Sequence, residues 1–142
     1  MKNISSGFTL VELMVVVAII SILASIAIPS YQDFLIRGRI PDATSVLATK
    51  RTQIEQFFQD NRTYVGAAAC VADNTSGQYF DFSCPIATAT AYTIQAAGKK
   101  SMASFTYTID QDNTKITTIA AGGPSGWVGN ASCWVTRKGG AC

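Results

Sequence analysis

From residue 8 to residue 28 the chain is apolar at almost every position, interrupted by one charge, Glu12. A run of this kind has no polar face, so it predicts a helix with no side turned to water. Coiled as an α-helix it would span roughly 30 Å, about the hydrocarbon thickness of a bilayer. After Pro29 the pattern changes. Residues 30–60 hold few breakers apart from Gly38 and Pro41, and residues 43–61 read as an amphipathic helix. Leu47, Ile54 and Phe58 fall on one face, with Val46 and Phe57 flanking. Lys50, Arg51, Glu55 and Asp60 are placed toward solvent. Together these segments predict one long helix of roughly 80 Å, kinked at Pro29 and again near Pro41. Its first half has no globular partner, and its second half needs one.

Residues 61–89 show no sustained period and carry Gly66, Gly77, Asn74 and Pro85. They read as a loop with room for one short strand or helical turn. Strict alternation then returns. Residues 91–97 alternate through Tyr92, Ile94 and Ala96, and residues 103–109 through Phe105, Tyr107 and Ile109. Residues 115–120 follow, with turns at 98–101 and 110–113. Residues 132–136 complete the set as a short fourth strand. The fold class is α+β: a long helix laid across a small antiparallel sheet of about four strands.

Composition narrows the chemistry. The 142 residues include 14% charged side chains, a formal net charge of +2 and no histidine. The lack of histidine removes Ser-His and Cys-His catalysis and every metal site built on imidazole. So weak a charge does not by itself argue for nucleic acid. The four cysteines, Cys70, Cys84, Cys133 and Cys142, form no C-x-x-C pair. An even number in a small exported domain reads as two disulfides, in one of three connectivities. Asp110 and Asp112 supply two carboxylates in D-Q-D-N with no Gly-x-x-Glu continuation, which is a turn by default. No catalytic residue, cofactor or metal is expected, and the chain does not read as an enzyme.

The stretch GFTLVELMVVVAIISILASIAIPSYQDF resembles the type III signal of the type IV pilin superfamily. Glycine comes first, then F-T-L-x-E-L, the apolar run, and A-I-P near its end. The resemblance implies a leader, residues 1–7, removed by a prepilin peptidase between Gly7 and Phe8, with N-methylation of Phe8. Residues 8–29 would be the membrane-spanning and later filament-core part of the helix. Residues 30–142 would be the globular domain outside the membrane: helix to 60, loop 61–89, then sheet and C-terminal loop. Glu12 would neutralise the Phe8 ammonium of a neighbouring subunit, and Pro29 would kink or loosen the helix. Lys2 is consistent with a cytoplasmic N-terminus in the inner membrane.

A second resemblance covers about a third of the chain. RGRIPDATSVLATKRTQIEQFFQDNRTY and the ending W-V-G-N-A-S-C-W-V-x-R-K-G-G-x-C are similar to the minor-pilin E group of type IVa pili. The resemblance implies a C-terminal loop closed by Cys133–Cys142, which leaves Cys70–Cys84 as the other bridge. The implied function is a structural pilus subunit for motility, adhesion or surface attachment. Its partners would be other pilins, the peptidase, the inner-membrane assembly platform, lipid before assembly and, after assembly, the extracellular filament. The pattern also overlaps that of a competence minor pilin that binds DNA, for which Lys99, Lys100, Arg137 and Lys138 are the candidate contacts, with Trp127 and Trp134 near them in sequence. A type II secretion pseudopilin shares the N-terminal signal and is the third reading.

Overall fold

The computed structural model describes residues 8–142, so Lys2, Gly7 and the rest of the expected leader lie outside the described residues. Helix α1 runs Leu10–Asn61. The chain divides into two compact units at Leu35/Ile36, and α1 contributes to both.

In the first unit, residues 10–28 are exposed, apart from the half-buried Ala24, and are long and apolar enough to cross a membrane. Thr9 begins the helix: its Oγ1 accepts the Glu12 N–H at 3.2 Å. That T-x-x-E arrangement satisfies one of the first-turn donors that a helix leaves unpaired. Ser21 and Ser25 fold their hydroxyls back onto the carbonyls of Val17 and Ile22, both at 2.7 Å. The apolar surface is therefore unbroken by an unsatisfied hydroxyl. Helical backbone continues without a break through Pro29 and Pro41. Ser45 donates its hydroxyl to the Pro41 carbonyl at 2.5 Å.

In the second unit the helix buries Ile36, Ile40, Ala43, Leu47 and Ile54, the i, i+4, i+7 spacing of a single face. Phe58, Val46 and Phe57 are half-buried against the same core. The partner surface is a four-stranded antiparallel meander, β1 Phe80–Ala87, β2 Tyr92–Gly98, β3 Phe105–Asp110 and β4 Lys115–Ile119, in that spatial order. Phe80 and Phe82 from β1, Tyr92, Ile94 and Ala96 from β2, and Phe105, Tyr107 and Ile109 from β3 face the helix, each almost fully buried. Gly98 ends β2 because the 3-10 turn Lys100–Met102 folds back over it. A Cβ there would meet the Met102 carbonyl oxygen at 1.8 Å.

Two features of the sheet differ from the sequence reading. The fourth strand is β1, inside the stretch read as loop. Its alternation is broken by a register shift between Ser83 and Ile86, which holds Cys84 and Pro85. Proline cannot donate to a ladder and is tolerated at such an edge irregularity. Conversely, residues 132–136 form no strand. Residues 133 and 135 are held by side chains of the sheet instead. Thr117 Oγ1 donates to the Cys133 carbonyl (3.0 Å) and accepts the Val135 N–H (2.9 Å), while Tyr107 Oη donates to the Val135 carbonyl (3.1 Å). This segment places Val135 in the core, and Trp127 packs edge-on against Phe105.

Disulfides join Cys70 to Cys84 and Cys133 to Cys142. The first ties the loop after α1 to β1. The outer edge of β1 meets Asp73 in a single bridge with Phe82, and that of β4 meets Asn130 in a single bridge with Thr117.

Candidate functional site

The N-terminal candidates lie along one bare helix. Phe8 is 81% exposed. Glu12, one turn into the helix, has its backbone N–H tied to Thr9, and its carboxylate stands at the helix N-terminus, where the macrodipole favours negative charge. The other side chains of residues 8–28 are apolar or hydroxyl-bearing. A carboxylate on such a surface is costly in lipid and becomes useful when a cation meets it.

The basic candidates separate into two places. Lys99 is occupied: its ammonium contacts Asp81 at 2.6 Å and donates to the Asn74 carbonyl at 3.0 Å. Next to it Lys100 is exposed, in a left-handed conformation with φ of 54°. Lys100 borders a shallow cleft with Ser101, Ser104, Gly122 and Pro124. A residue the sequence reading missed joins them. Arg39 donates from Nη1 to Ser101 Oγ at 2.6 Å, and its guanidinium lies 4.6 Å from the centre of the Tyr79 ring. Tyr79 is fixed in turn by its N–H to Asp42 Oδ2 (3.1 Å) and by its carbonyl, which accepts the Lys99 N–H (2.8 Å). The signal for Arg39 was in the helix itself. It stands next to the buried Ile40 and three residues after Ile36, at the border of the stripe that meets the sheet.

Arg137 and Lys138 are exposed on the C-terminal loop. That loop is shaped by Gly139 and Gly140, both at positive φ, by the Gly139 N–H to the Gly126 carbonyl (2.8 Å), and by Asn130 Nδ2 to the Gly140 carbonyl (3.0 Å). The stem of Lys138 passes over Gly126. The loop 120–126 thus touches Lys138 at one end and borders the Lys100 cleft at the other. Neither tryptophan presents an open ring beside these cations. Trp127 is buried, and Trp134 donates Nε1–H to the Thr108 carbonyl at 2.9 Å while Lys115 covers its ring at 4.9 Å.

The other polar groups serve the fold. Glu55, expected at the solvent face, accepts hydrogen bonds from Tyr92 Oη (2.7 Å) and Tyr64 Oη (3.3 Å). Burial, then the hydrogen bond and charge of Glu55, raise the Tyr92 phenol above its ordinary value. Burial alone raises Tyr107. Asp73 accepts from the hydroxyls and backbone N–H groups of Ser76 and Thr75, which hold its carboxyl well below the usual range. Asp110 accepts the N–H groups of Asp112 and Thr114, closing the turn after β3. Among the described residues no group of three or more His, Cys, Asp or Glu could hold a metal ion.

The chain is similar to several known proteins. A prokaryotic N-terminal methylation motif matches residues 2–28. The fimbrial protein EcpC of Eikenella corrodens is 37% identical over 81 residues, 56% of this chain and 53% of that protein. The type IV major fimbrial protein FimA of Dichelobacter nodosus is 48% identical over 62 residues, 44% of this chain and 40% of that one. The type IV major pilin PilE1 of Neisseria gonorrhoeae is 33% identical over 85 residues, 56% and 51% of the two chains. The matches thus cover about half the length of these curated relatives or less. The non-core minor pilin PilV of Neisseria meningitidis superposes with a TM-score of 0.54 at 14% identity, covering 66% of this chain and 97% of that one, a likeness of fold. A further family model covers residues 29–115, more than half of the chain and most of the helix-on-sheet unit. The chain therefore belongs to the family described as type IV minor pilin ComP, DNA uptake sequence receptor.

Proposed function

We propose that this protein is a minor subunit of a type IV pilus. Residues 8–29 hold it in the inner membrane, N-terminus cytoplasmic, until a prepilin peptidase cuts between Gly7 and Phe8 and Phe8 is N-methylated. The assembly platform then draws the helix into a filament of pilin copies. The observation that carries this reading is the exposed helix: residues 10–28 present an apolar surface long enough to cross a membrane. Glu12 supports it, since a carboxylate there is compensated once the Phe8 ammonium of a neighbour lies against it. Moving such a surface from lipid to other helices changes one apolar partner for another, so packing and that charge pair decide the step. Mass spectrometry of pili sheared from the native cell tests it. A trace subunit beginning at methylated Phe8 is expected. A dominant one would make it the major pilin, and its absence from pili would sink the reading in favour of a secretion pseudopilin.

A second reading is favoured by one specific arrangement. Arg39, Lys100 and Ser101 converge at the β2–β3 connection, and the loop 120–126 links that place to Lys138. One cation, Lys100, and two hydroxyls, Ser101 and Ser104, line a shallow cleft, and Arg39 is bonded to the Ser101 hydroxyl; such groups suit a phosphate backbone, which supports DNA capture as the role of the assembled subunit. The experiment is salt-dependent retardation of duplex DNA by the full chain in detergent. Lys100→Ala with Arg137→Ala should weaken binding and lower the salt slope by about 1 for each phosphate no longer neutralised. An unchanged slope would remove these residues from the interface.

A further inference from the structure

Two aromatic side chains stand largely exposed just past the apolar run. Tyr31 is 63% and Phe34 is 70% exposed. Three residues apart on a helix, they share one face. Their position along the axis is informative. Ile28 ends the apolar run, and at 1.5 Å per residue Tyr31 lies about 4.5 Å and Phe34 about 9 Å beyond it. The headgroup layer on each side of a bilayer is about 5–7 Å deep. Helical side chains slant back toward the N-terminus, so both rings lie over the turn before their own Cα. Their rings therefore fall at headgroup depth when Ile28 sits at the edge of the hydrocarbon. Asp33, the first charge since Glu12, lies between them in sequence, and Arg37 follows beyond Phe34.

We propose that Tyr31 and Phe34 form an interfacial anchor, lodged in the headgroup layer of a phospholipid bilayer, that fixes the depth of the unassembled subunit. The inference rests on the membrane-held reading above and adds to it the residues that set depth. The apolar run alone is loose in this respect, since a small mismatch along the bilayer normal costs little per ångström. The amphipathic Tyr31 ring at the boundary resists sliding in both directions, and the apolar Phe34 ring resists moving outward into water. Ser21 and Ser25, whose hydroxyls are internally satisfied, add no competing depth preference.

Depth-dependent fluorescence quenching tests this with the full chain in phosphatidylcholine–phosphatidylglycerol vesicles carrying brominated acyl chains. Tyr31→Trp, Phe34→Trp and, at mid-span, Val17→Trp each add one indole, and the wild-type signal of Trp127 and Trp134 is subtracted. Bromines close to the headgroups should quench the indoles at 31 and 34 more than bromines near the chain ends do, with emission shifted to the blue of an indole in water. The indole at 17 should show the opposite order. If 17 is quenched but 31 and 34 are not, the anchor is wrong and the membrane reading stands. Quenching of 31 and 34 mainly by deep bromines also overturns the anchor. A blue shift at 31 and 34 that grows with protein-to-lipid ratio, without quenching, means that a second copy covers them, and again overturns it. No quenching at 17 removes the membrane reading and the anchor with it.

Discussion

Tyr92 and Tyr107 are large, fully buried and hydrogen-bonded, one to a carboxylate on α1 and the other to a carbonyl of the C-terminal segment. Both phenols are raised above their ordinary value of about 10. In the folded chain they stay neutral where the unfolded chain would ionise. The stability they confer is therefore fully present below about pH 10 and is lost as pH rises above it. Urea midpoints should be level from about pH 8 to 10 and fall beyond, with phenolate absorbance from these two rings appearing only on unfolding. Thr117 is the second case at this scale, a buried hydroxyl that holds two backbone groups of the 133–135 segment. Thr117→Val keeps the shape and leaves both groups unpaired, for an expected destabilisation of about 1–3 kcal/mol. Thr117→Ser should retain most of the stability. Urea denaturation measures both, and equal behaviour of the two variants would show that the hydroxyl is not what holds the segment.

At the scale of elements, the two disulfides do different work. Cys70–Cys84 closes about 15 residues and packs against the core, whereas Cys133–Cys142 closes about 10 and ends in the exposed Cys142. Each contributes about 3 kcal/mol in the chain-entropy model. Mild reductant should open Cys133–Cys142 first, freeing Arg137 and Lys138 while the sheet persists, as thiol alkylation followed by peptide mapping would report. How far these elements could be read in advance follows from the physics of each. β2 and β3 were legible because a half-buried strand writes its period into Tyr92, Ile94, Ala96 and Phe105, Tyr107, Ile109. β1 carries the same signal at Phe80 and Phe82, but Cys84 and Pro85 break it after four residues. The segment 132–136 looked like a strand because Trp134 and Val135 are strand formers, yet the backbone groups of residues 133 and 135 are taken by Thr117 and Tyr107, residues far away in sequence. Arg39, Glu55 and the Ile36–Ile40–Ala43 part of the helical stripe belong to the same class. Their roles depend on partners that only the folded chain brings near.

For the whole molecule, every residue of the hydrophobic core and both disulfides lie in the unit that begins at Ile36. A fragment of residues 36–142 should therefore fold alone, melt cooperatively and remain monomeric without detergent, while the full chain requires detergent or lipid. Size-exclusion chromatography and a thermal scan check this, and an unfolded or aggregated oxidised fragment would show that the helix before Ile36 is needed for the fold. The two bridges at the margins of the sheet, Asp73 on Phe82 and Asn130 on Thr117, matter most when many such domains are crowded together. An open strand is a template, and identical neighbours are the best material for it. With a short irregular segment bridged to each margin at one residue pair, strand-by-strand accretion meets an interrupted edge. On the proposed reading, open-ended growth would then fall to the helical segment, whose contacts would be side chain on side chain and could be taken apart again without tearing a ladder.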